Sequence, residues 1–310
     1  MASLAPNALV GLQTVKDWLS ITNTLTDALL TGVINQVSSQ VEEHCQRTFR
    51  LSYYGADYYA TPSSKPLRTV LNQAPVASLQ LVTEFTDTSP GQQVLIADYE
   101  LEDAFAGWIY RWNRWQNTAT RRPDIVQDYQ PRSELASLLV QYVAGYITQP
   151  QALAASAWSS LTPVLPGALT LGAGTGDLWM AVMPSGQLTG TTGSVKPTFA
   201  GTAASTIQMQ GLSTGTTVAD GSGSTAFAWA YMGTVGADGY GAEGTAATLP
   251  QELLAAVVDT VAYRWRNRGK DTSVKSESLA GMASVSYGDR GLFPPGALPV
   301  FDRFRMLKTE

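Results

Sequence analysis

A chain of 310 residues is long enough for two domains that each bury a core. Its 20 Lys and Arg against 25 Asp and Glu leave a net charge of −5, which excludes tight wrapping of nucleic acid by clustered cations. It does not exclude a protein that DNA slides past. The lone cysteine, Cys45, excludes an internal disulfide, and Met1–Pro6 lacks the basic-then-apolar run of a secretory signal. No membrane span is expected either, since Asp259 and Arg264 interrupt the most apolar helix.

Residues 14–46 read as two helices. Thr14 with Asp17 is the expected cap pair of the first, and Asn23 or Thr24 opens the second, with Asp27 near its positive end. Leu29, Leu30, Val33, Ile34, Val37, Val41 and Cys45 recur at helical spacing and predict one buried stripe, opposite a face of Gln, Ser and Glu. From Phe49 to Tyr146 the period shortens. Leu51–Tyr54, Ser78–Val82, Tyr99–Glu102, Trp108–Arg111 and Leu138–Val143 read as strands between Pro- and Gly-marked loops. Residues 111–134 are too long and polar for a hairpin and are expected to form an extended arm or loop.

Between Gln151 and Thr248 the chain turns Gly-, Thr-, Ser- and Ala-rich, with Lys196 its only cation. Asp177–Met183, Thr206–Gln210 and Ala226–Met232 predict a small antiparallel β domain, and the aromatics argue against a disordered linker. The closing helix has Pro250 near its first turn, Thr248 and Gln251 as a capping box, and Gly269 as its stop. Leu253, Leu254, Val257, Val258, Val261 and Trp265 make its stripe. A loop and strand follow over Lys275–Tyr287, then an apolar tail, Ala297–Glu310, expected to be a short amphipathic helix or an extended docking peptide. The expected organisation is a host, 1–150 and 249–310, carrying a guest at 151–248.

Several ordered fragments resemble one family. Leu12–Leu19, the helix after it and Val41-Glu-Glu-His-Cys-Gln-Arg-Thr-Phe49 are similar to the N-terminal part of tailed-phage head–tail connector (adaptor) proteins. Asp98-Tyr-Glu-Leu, Gly107-Trp-Ile-Tyr-Arg and Val140-Gln-Tyr-Val-Ala-Gly-Tyr146 resemble that family's central strands. Leu249-Pro-Gln-Glu-Leu253, Val274–Leu279 and Ser284–Tyr287 resemble its last helix and the loop beyond. The fragments keep the family's order over most of 9–149 and 249–307. Inside the guest, Gly190–Phe199, Gly215–Gly221 and Ala226–Tyr231 resemble a small β module of phage structural proteins, with Phe199 where Trp is usual.

The resemblance implies an α+β fold: an α-helical connector core with short strands and an extended arm, plus an inserted all-β, antiparallel sandwich-like domain. It implies a non-enzymatic ring subunit, a dodecamer, that docks under the portal protein and meets a downstream stopper or tail-terminator protein. Double-stranded DNA would pass transiently; no membrane and no cofactor are implied. It further implies that the tail docks on the portal through Leu298, Val300, Phe301, Arg303, Phe304, Arg305, Met306 and Leu307. The alternative is a carbohydrate- or receptor-binding virion protein working through the guest.

Candidate chemistry is sparse. His44 and Cys45 are helix neighbours that point about 100° apart, so they are not expected to form a catalytic pair, and they cannot build a zinc site. Gly172-Ala-Gly-Thr-Gly176 lacks the Lys-Ser/Thr ending of a phosphate loop and reads as a turn. Asp98, Glu100, Glu102 and Asp103 alternate with Tyr99 and Leu101 as on a solvated strand, and no acid pair for glycan cleavage stands out. Trp108, Arg111, Trp112, Arg114, Trp115, Arg121 and Arg122 mix aromatics with Arg, as subunit interfaces or DNA-facing arms do; the acidic chain favours the interface. Arg264, Arg266, Arg268 and Lys270 suit the negative end of their helix, or ion pairs between subunits.

Overall fold

The computed structural model describes residues 3–59, 67–86, 89–93, 98–112, 138–172, 176–184, 187, 189–194, 196–198, 217–235, 248–268, 276–279, 283–286 and 292–305. The expected strand at Thr206–Gln210, most of the expected arm and the expected stop at Gly269 lie outside these residues. The chain forms two compact units. Unit 1 comprises Met1–Phe49, Thr148–Gln151 and Leu249–Glu310; unit 2 comprises Arg50–Ile147 and Ala152–Thr248.

Unit 1 is built on helices α1 (Leu12–Leu19), α2 (Asp27–Cys45), the start of α3 (Gln149–Leu153), α4 (Gln251–Asn267) and α5 (Leu298–Arg303). In α2 the side chains of Leu30, Ile34, Val37, Val41 and Cys45 follow helical spacing and are fully buried. In α4, Leu253, Val257, Val258, Val261 and Trp265 form the buried stripe. Packing α4 against α1 and α2, and α5 against α2 and α4, closes the unit. A short hairpin, Ser276–Leu279 with Ala283–Ser286, follows α4 where a loop and one strand were expected.

The helix starts use other donors and acceptors than the sequence suggested. Thr14 lies inside α1, which begins after Gly11. The acceptor there is distant: Gln149 Oε1 takes the Gly11 N–H at 2.8 Å and the Thr14 hydroxyl at 3.1 Å. Asp27 pairs with buried Lys16 at 2.8 Å. The α4 N-cap is Pro250, without a side-chain cap bond. The reciprocal box expected at Thr248 and Gln251 occurs instead at Thr148 and Gln151, whose side chains and backbone N–H groups exchange two hydrogen bonds at 3.4 Å.

Unit 2 is layered β structure. Strands β1 (Ser52–Tyr59), β2 (Arg68–Val70), β3 (Val76–Thr86), β4 (Ser89–Gln93), β5 (Tyr99–Asp103), β6 (Trp108–Arg111) and β7 (Leu138–Ala144) make two antiparallel sheets. Their orders are β1-β7-β3-β4 and β2-β6-β5. After β8 (Ser156–Ala157), β9 (Pro163–Val164), β10 (Leu169–Leu171), β11 (Asp177–Val182), β12 (Gly190–Thr191), β13 (Thr217–Asp220) and β14 (Phe227–Thr234), a five-stranded sheet runs β13-β14-β11-β10-β8. Strands β9 and β12 pair separately.

Alternation of side chains assigns the layers. From β7, Leu138, Val140 and Tyr142 join Val82, Tyr99 and Ile109 in one core cluster, while Val143 joins another with Ala77, Leu178, Met180, Val182 and Ala230. On β11 the intervening Trp179 and Ala181 meet Val218, Phe227 and Trp229 in a third. Strands buried on both faces read as continuous apolar runs, which is why β7, β11 and β14 are the most apolar in the chain.

This corrects the expected fold class. The core is not helical with short accessory strands: strand exceeds helix, 34% against 29%. The physical reason is the second cluster. Strands from 50–147 complete their burial against strands from 152–248, so they share a β core instead of decorating a bundle.

Candidate interaction surfaces

On β6 the alternation separates what composition had grouped. Ile109 and Arg111 turn inward; Trp108, Tyr110 and the adjoining Trp112 turn outward. Arg111 is buried and its Nη1 donates to Glu84 Oε2 on β3 at 2.6 Å. It is therefore not a free interface or DNA contact. Trp112 is 60% exposed and meets Tyr110 edge-on at 5.0 Å. The Arg68 guanidinium lies over Trp108 at 5.6 Å while forming a two-point ion pair with Glu102. Register places Arg68 and Glu100 on either side of Tyr110, and Val70 beside Trp108. The outer face of β2-β6-β5 is thus an aromatic stripe with a carboxylate edge. Arg114, Trp115, Arg121 and Arg122 lie outside the described residues.

Of the acidic cluster, Glu102 is held by Arg68, and Asp103 Oδ1 accepts the N–H groups of Phe105 and Ala106 in a turn. That is the solvated strand reading. Among the described residues no three His, Cys, Asp or Glu converge as metal ligands, and no helix is long and apolar enough to cross a membrane.

The tail residues divide. Phe301 is fully buried and packs edge-on against Phe293 at 4.9 Å; Phe304 meets Phe49 at 6.4 Å. Leu298, Arg303 and Arg305 are exposed, Val300 is half-buried, and Arg303 pairs with Glu252. Met306 and Leu307 lie outside the described residues. His44 Nε2 contacts Asp302 Oδ1 at 2.8 Å, whereas the Cys45 thiol donates to the Phe301 carbonyl at 3.4 Å. Burial pushes the Cys45 thiol up to about 12, so it is a neutral core group.

At the end of α4, Arg264 Nη2 donates to the Leu292 carbonyl at 3.0 Å, and Arg268 stacks on Trp265 at 3.6 Å. Arg266 is exposed and has no partner among the described residues. Lys270 lies outside them. Residues 173–175 of the expected turn lie outside the described residues; at Gly172 a Cβ would lie 2.4 Å from Trp179 Nε1.

One surface escaped the sequence reading. Leu29, expected in the buried stripe of α2, is 65% exposed; Leu25 is 91% and Trp18 58% exposed. Gly32 sits one turn further along the same outward face, and a Cβ there would meet nothing within 4 Å. The signal was present: between Asp17 and Glu42 the only charge is Asp27, which Lys16 neutralises. A solvated helix face normally carries Glu and Lys. A glycine in mid-helix costs about 0.5–1 kcal/mol relative to alanine. Gly32→Ala is therefore expected to stabilise unit 1 by about that amount in thermal or urea unfolding. A loss of stability would mean the position is crowded.

In 152–248, by contrast, Trp179, Phe227 and Trp229 are core residues. Among the described residues of that segment no Trp, Tyr or Phe is exposed for stacking on a sugar. Asp220, just before Gly221, gathers four donors. Its Oδ2 accepts the indole N–H of Trp229 at 2.6 Å and of Trp158 at 3.4 Å. Its Oδ1 accepts the N–H groups of Gly193 and Gly221, both at 2.7 Å.

No family model and no curated protein matches this chain. Among solved structures it is similar to a chain described as "Neck of empty GTA particle computed with C6 symmetry". The identity is 11% and the TM-score 0.39, over 100% of this chain and 95% of that one, a likeness too slight to fix a shared fold.

Proposed function

We propose that the chain is a non-enzymatic structural subunit of a tailed-phage neck, an adaptor that assembles into a ring under the portal protein. The single observation that carries this reading is the uncharged, exposed apolar start of α2, Leu25, Leu29 and Gly32, on a folded, well-packed helical unit. Such a patch favours association over solubility. The ordered resemblance to connector proteins supplies the kind of assembly. A dodecamer matching the portal, a downstream stopper or terminator protein, and transient passage of double-stranded DNA complete the proposal. Burial of Phe301 moves the proposed portal contact away from the tail as a free peptide and onto exposed residues such as Leu298, Arg303 and Arg305.

The test is genetic and visual. Phage made without this chain should give heads and tails that fail to join, seen by electron microscopy. A folded Leu25→Ser/Leu29→Ser variant should be left out of particles. Normal tailed particles in the absence of the chain would overturn the proposal.

A further inference from the structure

The outer face of β2-β6-β5 and the end of α4 are complementary. The first offers Val70, Trp108, Tyr110 and Trp112, edged by the exposed Glu100 carboxylate, which has no partner among the described residues. Arg68 beside it is already engaged by Glu102. An aromatic face whose free charge is negative repels phosphate, which argues against a DNA contact. It suits a protein surface that brings a cation and an apolar knob.

The end of α4 has both. Arg266 is exposed and unpaired among the described residues, and half-exposed Leu292 stands nearby, its carbonyl held by Arg264. Arg268 on Trp265 shows the guanidinium-on-indole contact within this same chain. Because the two patches differ, their union is head-to-tail, the geometry that generates rings or filaments; a two-fold contact would set like patches face to face.

We propose that the aromatic face of one copy receives the Arg266-bearing end of α4 of a second copy, with Arg266 paired to Glu100. This names the partner in the assembly reading above and rests on it only for the expectation of a ring.

Sedimentation velocity on the purified full chain tests it. Wild type should form higher-order species. Glu100→Arg and Arg266→Glu should each weaken association about tenfold or more, with unchanged circular dichroism and melting. An equimolar mixture of the two variants should associate again, since every contact in an alternating assembly then joins opposite charges. The double variant should also recover. Trp112→Ser should weaken association without recovery. Wild type that stays monomeric at every concentration reached, single variants that associate normally, or a mixture that fails to recover would each overturn the contact. Should the variants behave as expected in solution while phage lacking this chain still form normal tailed particles, the contact would stand and the neck reading alone would fall.

Discussion

Replacing Asp220 by alanine is expected to destabilise unit 2 by about 3–5 kcal/mol, among the largest effects of any single change. The carboxylate is buried and gathers four donors, two indole and two backbone N–H groups. Removing it leaves those donors facing a void, each at a cost of about 1–3 kcal/mol, partly relieved by entering water. Asp220→Asn keeps one acceptor oxygen but turns an amide N–H₂ toward other donors, so it should recover only part of the loss. Urea unfolding followed by tryptophan fluorescence reads the result directly, because Trp158 and Trp229 are two of the four partners. A change under about 1 kcal/mol would mean that Asp220 does not hold the turn.

The second large effect concerns Glu84 and Arg111, with side chains 7% and 11% exposed, which join β3 to β6 across the first core of unit 2. Arg111→Ala or Glu84→Ala should each cost about 3–5 kcal/mol, because either removes half of a buried ion pair while the other charge stays out of water. The combined change Glu84→Leu/Arg111→Met should cost clearly less than the sum, and less than the worse single change. Self-association per folded molecule should be unaltered by Arg111→Ala. A stable Arg111→Ala protein that no longer associates would return this residue to the interface group.

These two sites show where the sequence was readable. Helices α2 and α4 follow from periodicity alone, and so do the strands around Trp108, Val140, Asp177 and Phe227, because the period of apolar residues within a segment marks its buried face whichever element covers it. Arg111 is buried although composition groups it with Trp108 and Trp112; strict alternation puts it on the opposite face. The shared β core was not readable, since Val143 and Met180 meet through tertiary pairing that no local pattern encodes. The burial of Phe301 was hidden for a related reason. A six-residue helix is too short for its periodicity to tell a buried face from an offered one. The exposed corner at Leu25 and Leu29 was legible from the missing charges, a signal of what a helix lacks rather than what it contains.

Unit 1 draws on three separated stretches of polypeptide, and that arrangement sets a timetable for synthesis. Helices α1 and α2 leave the ribosome early, but their packing partner α4 follows about 200 residues later, roughly 10–40 s at ordinary elongation rates. Gln149, which finishes the start of α1, also comes late. Through that interval the apolar stripe of α2 lacks α4 and α5, while the first β sheets can already fold. The nascent chain is thus most exposed to premature association, and most in need of a chaperone, before the last helix has been translated.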